Sequence, residues 1–160
     1  MTKYDVGMDR DSNRKIIGSL LPFKATKTIT FAGGTTNAIG DDGGTLDPFT
    51  IFTVTGDVQV IVFGICKTDL TGATATLEVG TTASTAFLVA QAVATTIDAG
   101  EVVQFNATPF NMVVLSQDPV VIANGLDIVG TVDTADITGG VIDFYCFWRP
   151  LSSDGMVVAA

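Results

Sequence analysis

From residue 27 onward, runs of five to ten residues rich in Thr, Val, Ile and Phe recur between Gly, Asp-Pro and Asn-Gly, with almost no helical period. β-branched and aromatic side chains suit a pleated, half-buried surface, and Gly, Pro and Asn punctuate it. Candidate strands fall at 27–32, 49–55, 58–67, 73–79, 85–93, 101–106, 112–116, 119–123, 126–132 and 137–148. Asp47-Pro48, Thr108-Pro109 and Asp118-Pro119 read as turn initiators, because proline presets one dihedral and cannot donate to a central ladder. Gly56-Asp57 and Asn124-Gly125 each separate two apolar runs by two residues, which predicts two β-hairpins. Gly139-Gly140 reads as a third turn before the last long strand. The Gly-Gly pairs at 33–34 and 43–44 flank what reads as a long mobile loop. Short antiparallel strands at this density predict an all-β fold, an antiparallel β-sandwich with a jelly roll as first guess.

The faces of the strands bear on assembly. Residues 73–79 alternate, with Ala75, Leu77 and Val79 opposite Thr74, Thr76 and Glu78, as one dry and one wet face require. Two other runs are apolar on both faces. In residues 58–67, Val58, Val60, Val62 and Cys66 oppose Ile61, Phe63 and Ile65; near the end, Val141, Tyr145 and Phe147 oppose Ile142, Phe144, Cys146 and Trp148. A sandwich core covers one face only, so the second needs residues 1–26, a long loop or another subunit. Another subunit is the expectation, with Ile61, Phe63, Ile65, Tyr145, Phe147, Trp148 and Arg149 as candidates for the oligomer interface.

Charge divides the chain in two. The net formal charge is −9; residues 1–27 hold six of the eight Lys and Arg against three Asp, and the remainder holds two cations against 14 acids. That is +3 on the first 27 residues and −12 on the body. Residues 1–26 therefore read as an extended basic arm and residues 27–160 as one β-sandwich domain. Lys3, Arg10, Arg14, Lys15 and Lys24 are the candidate partner-binding residues of the arm, which would dock on something acidic. An acidic body repels phosphates, so neither nucleic acid nor membrane is expected as partner. The opening MTKYDVGMDRDSNRK lacks the apolar core of a secretory leader, and no stretch is long and apolar enough to span a bilayer.

Catalytic chemistry finds little footing. The chain has no histidine, which removes Ser/His/Asp and Cys/His triads and histidine-ligated zinc. No Walker A loop, nucleophile elbow or dinucleotide fingerprint is present. The 15 Asp and two Glu are scattered at turns, with no spacing that sets two across a substrate. No enzyme and no cofactor are expected. Asp41, Asp42 and Asp47 in a glycine-rich turn are the best calcium candidates, but their spacing matches no EF-hand and Asp and Gly are ordinary turn formers. Asp133 and Asp136 make a lesser case, and no metal is expected. Cys66 and Cys146 read as two buried free thiols. Trp148, Tyr145, Phe144 and Phe147 could stack on a sugar, yet consecutive aromatics alternate faces, which favours core and interface packing.

The ending Ile142-Asp143-Phe144-Tyr145-Cys146-Phe147-Trp148-Arg149-Pro150-Leu151-Ser152-Ser153-Asp154-Gly155 resembles small Thr/Gly/Ala-rich structural proteins of tailed bacteriophages. Lys27-Thr28-Ile29-Thr30-Phe31 and Ile97-Asp98-Ala99-Gly100-Glu101 are similar too, so the resemblance covers roughly residues 27–160. It implies a virion component assembled in the host cytoplasm, a capsid decoration (cement) protein bound to the major capsid protein as a homo-oligomer, with a trimer favoured. Such a family has no catalytic residues to carry over. The alternatives are a tail, fibre or baseplate component that binds host glycans, and a non-viral carbohydrate-binding sandwich.

Overall fold

The computed structural model describes residues 21–35, 37–104 and 118–160. The predicted strand at 112–116, Thr108-Pro109 and arm residues Lys3, Arg10, Arg14 and Lys15 lie outside the described residues. In chain order the strands are β1 (Phe23–Thr30), β2 (Phe49–Thr55), β3 (Val58–Thr71), β4 (Thr76–Thr81), β5 (Ser84–Val93), β6 (Val102–Val103), β7 (Val120–Ile122), β8 (Ile128–Asp133), β9 (Gly139–Pro150) and β10 (Met156–Ala159). A single 3₁₀ turn, Ala94–Thr96, is the one helical element among the described residues.

Two antiparallel sheets result. The first runs β1-β9-β3, with β6 and β7 both pairing β3; β6 sits opposite Gly64 and Ile65, and β7 opposite residues 58–60. The second runs β10-β2-β8-β4-β5. The sheets face each other across one core, to which the first contributes Ile29, Val60, Val62, Ile142 and Phe144 and the second Phe52, Val54, Leu77, Val79 and Ile128. The fold is all-β with two facing antiparallel sheets, a β-sandwich. Phe52 and Phe144 are fully buried; each such ring contributes on the order of 2–3 kcal/mol by leaving water.

Glycines make room for two of the rings. Gly64 stands opposite Phe144 in the ladder, and a Cβ there would lie 3.1 Å from the Phe144 ring and 2.8 Å from Ile142 Cγ2. In the second sheet Gly130 stands opposite Phe49, whose ring occupies the space a Cβ would need. Phe49 then meets Phe31 edge-on at 5.8 Å, tying the loop after β1 to the core.

Turn chemistry holds at the expected positions, but the strands it joins are not hairpin partners. Gly56-Asp57 links β2 of the second sheet to β3 of the first, and Asn124-Gly125 links β7 of the first to β8 of the second. Gly56 (φ 62°), Asn124 (φ 60°) and Gly125 (φ 66°) take the left-handed conformation that such turns demand. A tight reversal sets the local path of the chain. Whether the next strand joins the same sheet is decided by which neighbour covers its apolar face, and here the sheets exchange strands. The hairpin that does form, β4-β5, turns through Thr82-Ala83 with Thr81 opposite Ser84. It contains no Gly or Asn; the Ala83 N–H donates to Thr81 Oγ1 at 3.3 Å instead.

Other boundaries shift as well, with β3 running on to Thr71 and β4 spanning Thr76–Thr81, and three differences bear on the sheets. β1 starts at Phe23 because the ladder to β9 continues through Phe23 opposite Trp148, so residues 23–26 are strand and not arm. Gly139 and Gly140 lie inside β9, with Gly139 opposite Thr71. β10, four residues long, pairs with β2 and buries only Val157, too short a pattern to mark a strand.

Candidate interaction face

Alternation along β9 and β3 divides their side chains. Ile142, Phe144 and Cys146 on β9, and Val58, Val60, Val62 and Cys66 on β3, point into the core. The odd-numbered residues therefore form the outer face of the first sheet. Cross-strand register arranges that face in rows: Arg149–Gln59–Val121, Lys24–Phe147–Ile61, Thr26–Tyr145–Phe63 and Thr28–Asp143–Ile65–Val102.

The centre of this face is aromatic. Phe63 stacks on Tyr145 (centroids 5.3 Å, planes 17° apart) and on Phe147 (6.1 Å, 16°). Such pairs add about 0.5–1.5 kcal/mol each beyond their area. Phe63, Ile65, Tyr145 and Phe147 are half-buried, and Ile61 is buried within the chain. Of the expected interface residues, these five share the face with Arg149. Trp148 stands on the opposite side of β9, packs against the core and stacks on Phe23 at 4.8 Å.

The two ends of the face carry opposite charge. At one end Asp143 accepts from Thr28 Oγ1 (2.6 Å) and lies 4.0 Å from Lys67 Nζ. At the other, Arg149 is half-buried and its Nε is shielded from solvent without a hydrogen-bond partner. No carboxylate among the described residues pairs with it. A shielded donor left unmet costs about 1–3 kcal/mol. Lys24 is exposed beside Phe147. Among the members of this face that sequence reasoning missed, Asp143 is the acidic one; period two from Tyr145 and Phe147 leads straight to it.

The acidic loops have a different role. The Asp41 carboxylate accepts N–H bonds from Gly34 (2.7 Å) and Ala38 (3.1 Å), and Asp47 accepts from Gly43 (3.2 Å) and Val132 (2.9 Å). The Asp42 N–H donates to Asp136, and Asp133 caps the N–H of Thr134. The loop that reads as mobile in sequence is thus laced, and Gly33 and Ile137 extend the lacing by backbone bonds to residues 137 and 40. Asp57, Asp69 and Asp127 likewise accept from the backbone of Asn124, Ala99 and Val54. Asp suits this work better than Glu because its short side chain reaches nearby N–H groups. Among the described residues no three His, Cys, Asp or Glu form a metal-ligand set.

Both cysteines are free and buried in the core, four ladder positions apart, with Val62 opposite Cys146 and Ile142 opposite Cys66. Burial pushes the Cys66 thiol up to about 11 and the Cys146 thiol up to about 12, so neither is a nucleophile at neutral pH. At the turn before β10, the Ser152 hydroxyl and a backbone N–H hold the exposed Asp154 carboxyl below the usual range. The described residues thus offer an apolar face with charged ends and no activated nucleophile. Comparison with protein-family models, with curated proteins and with solved structures found no match.

Proposed function

We propose that this chain is a non-enzymatic structural protein of a bacteriophage virion, a capsid decoration (cement) protein that binds the head lattice as a homo-oligomer. The observation that carries the reading is the apolar outer face of a sheet whose other face already forms the core: such a face serves association. The loop carboxylates of Asp41 and Asp47 support it, because they are engaged in holding backbone. The ending at residues 142–155, the second half of β9 and the turn after it, supports it by its likeness to phage structural proteins. We also read the strand order as a jelly roll: β1-β9-β3 with β6 and β7 against β2-β8-β4-β5, strands changing sheet at almost every step, and β10 added beside β2.

In this reading the basic segment ahead of β1, residues 1–22, docks on an acidic surface of the major capsid protein while the sandwich self-associates. Extended, 22 residues reach roughly 75 Å, enough to cross a neighbouring subunit. Each copy that binds only the assembled lattice stabilises it by mass action, by about 2.7 kcal/mol at a free concentration of 100 Kd. The test is co-sedimentation of purified chain with empty heads of the phage that encodes it, followed by heating. Saturable binding and a raised disassembly temperature are expected. Absence from heads, or location on tails in the intact virion, overturns the reading.

A further inference from the structure

We infer that the outer face of the first sheet pairs with the same face of a second copy across a twofold axis lying in the interface plane, perpendicular to β9, Arg149 of each copy meeting Asp143 of the other. The inference rests on the self-association proposed above and names its surface and partner.

Four observations lead to it. Asp143, Tyr145, Phe147 and Arg149 project from one face of one strand, six residues or roughly 20 Å from end to end. The aromatic rings lie midway, at the level of residue 146. A twofold axis there reverses β9 onto itself, so Arg149 falls over the partner's Asp143 and Phe147 over the partner's Tyr145. An isologous contact requires this self-complementarity: where i meets j, j meets i.

Arg149 lacks a carboxylate among the described residues although its Nε is already shielded, so the desolvation is spent before a partner arrives. A second copy brings the missing carboxylate: Asp143 is partly open to solvent, and its oxygens can accept a guanidinium in addition to Thr28 and Lys67. The flanking strand β1 presents Thr26 and Thr28, small enough to let sheets approach at about 10 Å, crossed by about 30°. Across its strands the face is roughly 19 Å wide and along them roughly 26 Å, about 1,000 Å² in total for two copies. That is the low end for a specific interface, so the pair should dissociate in the micromolar range.

The experiment measures solution mass by light scattering and sedimentation on the full chain. Wild type should approach twice the chain mass at tens of micromolar. Arg149→Asp alone and Asp143→Arg alone should each weaken self-association at least ten-fold, by like-charge contact at both ends. A one-to-one mixture of the two variants should recover pairing, because each then faces its opposite. Phe63→Lys, at a half-buried position, should give a cooperatively melting monomer and serves if Asp143→Arg does not fold. A monomeric wild type, single variants that associate as wild type, or a mixture without recovery overturns the pairing. A trimer indifferent to these variants also overturns it while leaving homo-oligomeric decoration standing. A twofold dimer that ignores heads overturns decoration and leaves the pairing.

Discussion

Cys146 shows how a single buried group leaves a measurable signature. Its thiol is raised to about 12 by loss of hydration, against an ordinary value near 9.0 in the unfolded chain. The folded state therefore keeps a proton that the unfolded state releases, and the sign follows: this stability is complete below pH 9 and is lost as pH climbs towards 12. Between pH 8 and pH 10 the loss from this group is about 1.4 kcal/mol. Urea unfolding at the two pH values should show wild type losing about 1.4 kcal/mol more than Cys146→Ala. Equal losses would mean that the thiol is solvated. Cys146 was legible as a buried thiol from its place in an apolar run. Its distance from Cys66 was not, because ladder register is a property of two strands.

At the scale of elements, three turns interlock at one end of the sandwich, and Asp57 is their common point. Its carboxylate accepts the Asn124 N–H (2.9 Å), its carbonyl accepts Leu151 and Ser152, and its own N–H donates to Ser152 Oγ (2.8 Å). Gly56 is required beside it, since a Cβ would lie 2.5 Å from Ser152 Oγ and 2.6 Å from Asp154 Oδ1. The Gly125 N–H closes the group by donating to the Gly56 carbonyl at 2.9 Å. Asp57→Ala should cost about 1–2 kcal/mol, read as a lower urea midpoint with unchanged slope, and Asp57→Asn should recover part of it. No shift in midpoint would show that the turns hold without the carboxylate. The residue types of these turns were plain in sequence, whereas their mutual contact was not. Gly56-Asp57 and Asn124-Gly125 therefore suggest two separate hairpins and are one knot between sheets.

For the molecule as a whole, strand order governs how the chain can fold. Phe23 pairs with Trp148 and Thr30 with Val141, so β1 cannot find its place until nearly the entire body has been assembled. Strands pass between sheets at β1-β2-β3-β4, at β5-β6 and again at β7-β8-β9-β10, leaving β4-β5 as the one local hairpin among the described strands. Closing such long loops before any contact rewards them places β-sandwiches among slow folders. Stopped-flow refolding followed by Trp148 fluorescence should therefore give a main phase on the order of milliseconds to seconds. A submillisecond main phase would require a nucleus more local than this topology offers. Charge works at the same scale, with the body at −12 and the first 27 residues at +3.

The position of most strands, the two-faced apolar runs, the burial of both thiols and the paucity of catalytic groups follow from the sequence itself. Each depends on residue type and on a period of two, which one strand carries without help from another. Tertiary structure decided which strands share a sheet, that Trp148 turns to the core while Tyr145 and Phe147 turn outward, and that Asp41 and Asp47 brace a loop. It also decided that Asp143 and Arg149 stand at opposite ends of one aromatic face. The physical reason is common to all of these. A local pattern says that a face must be covered, and only the packing of distant segments determines what covers it.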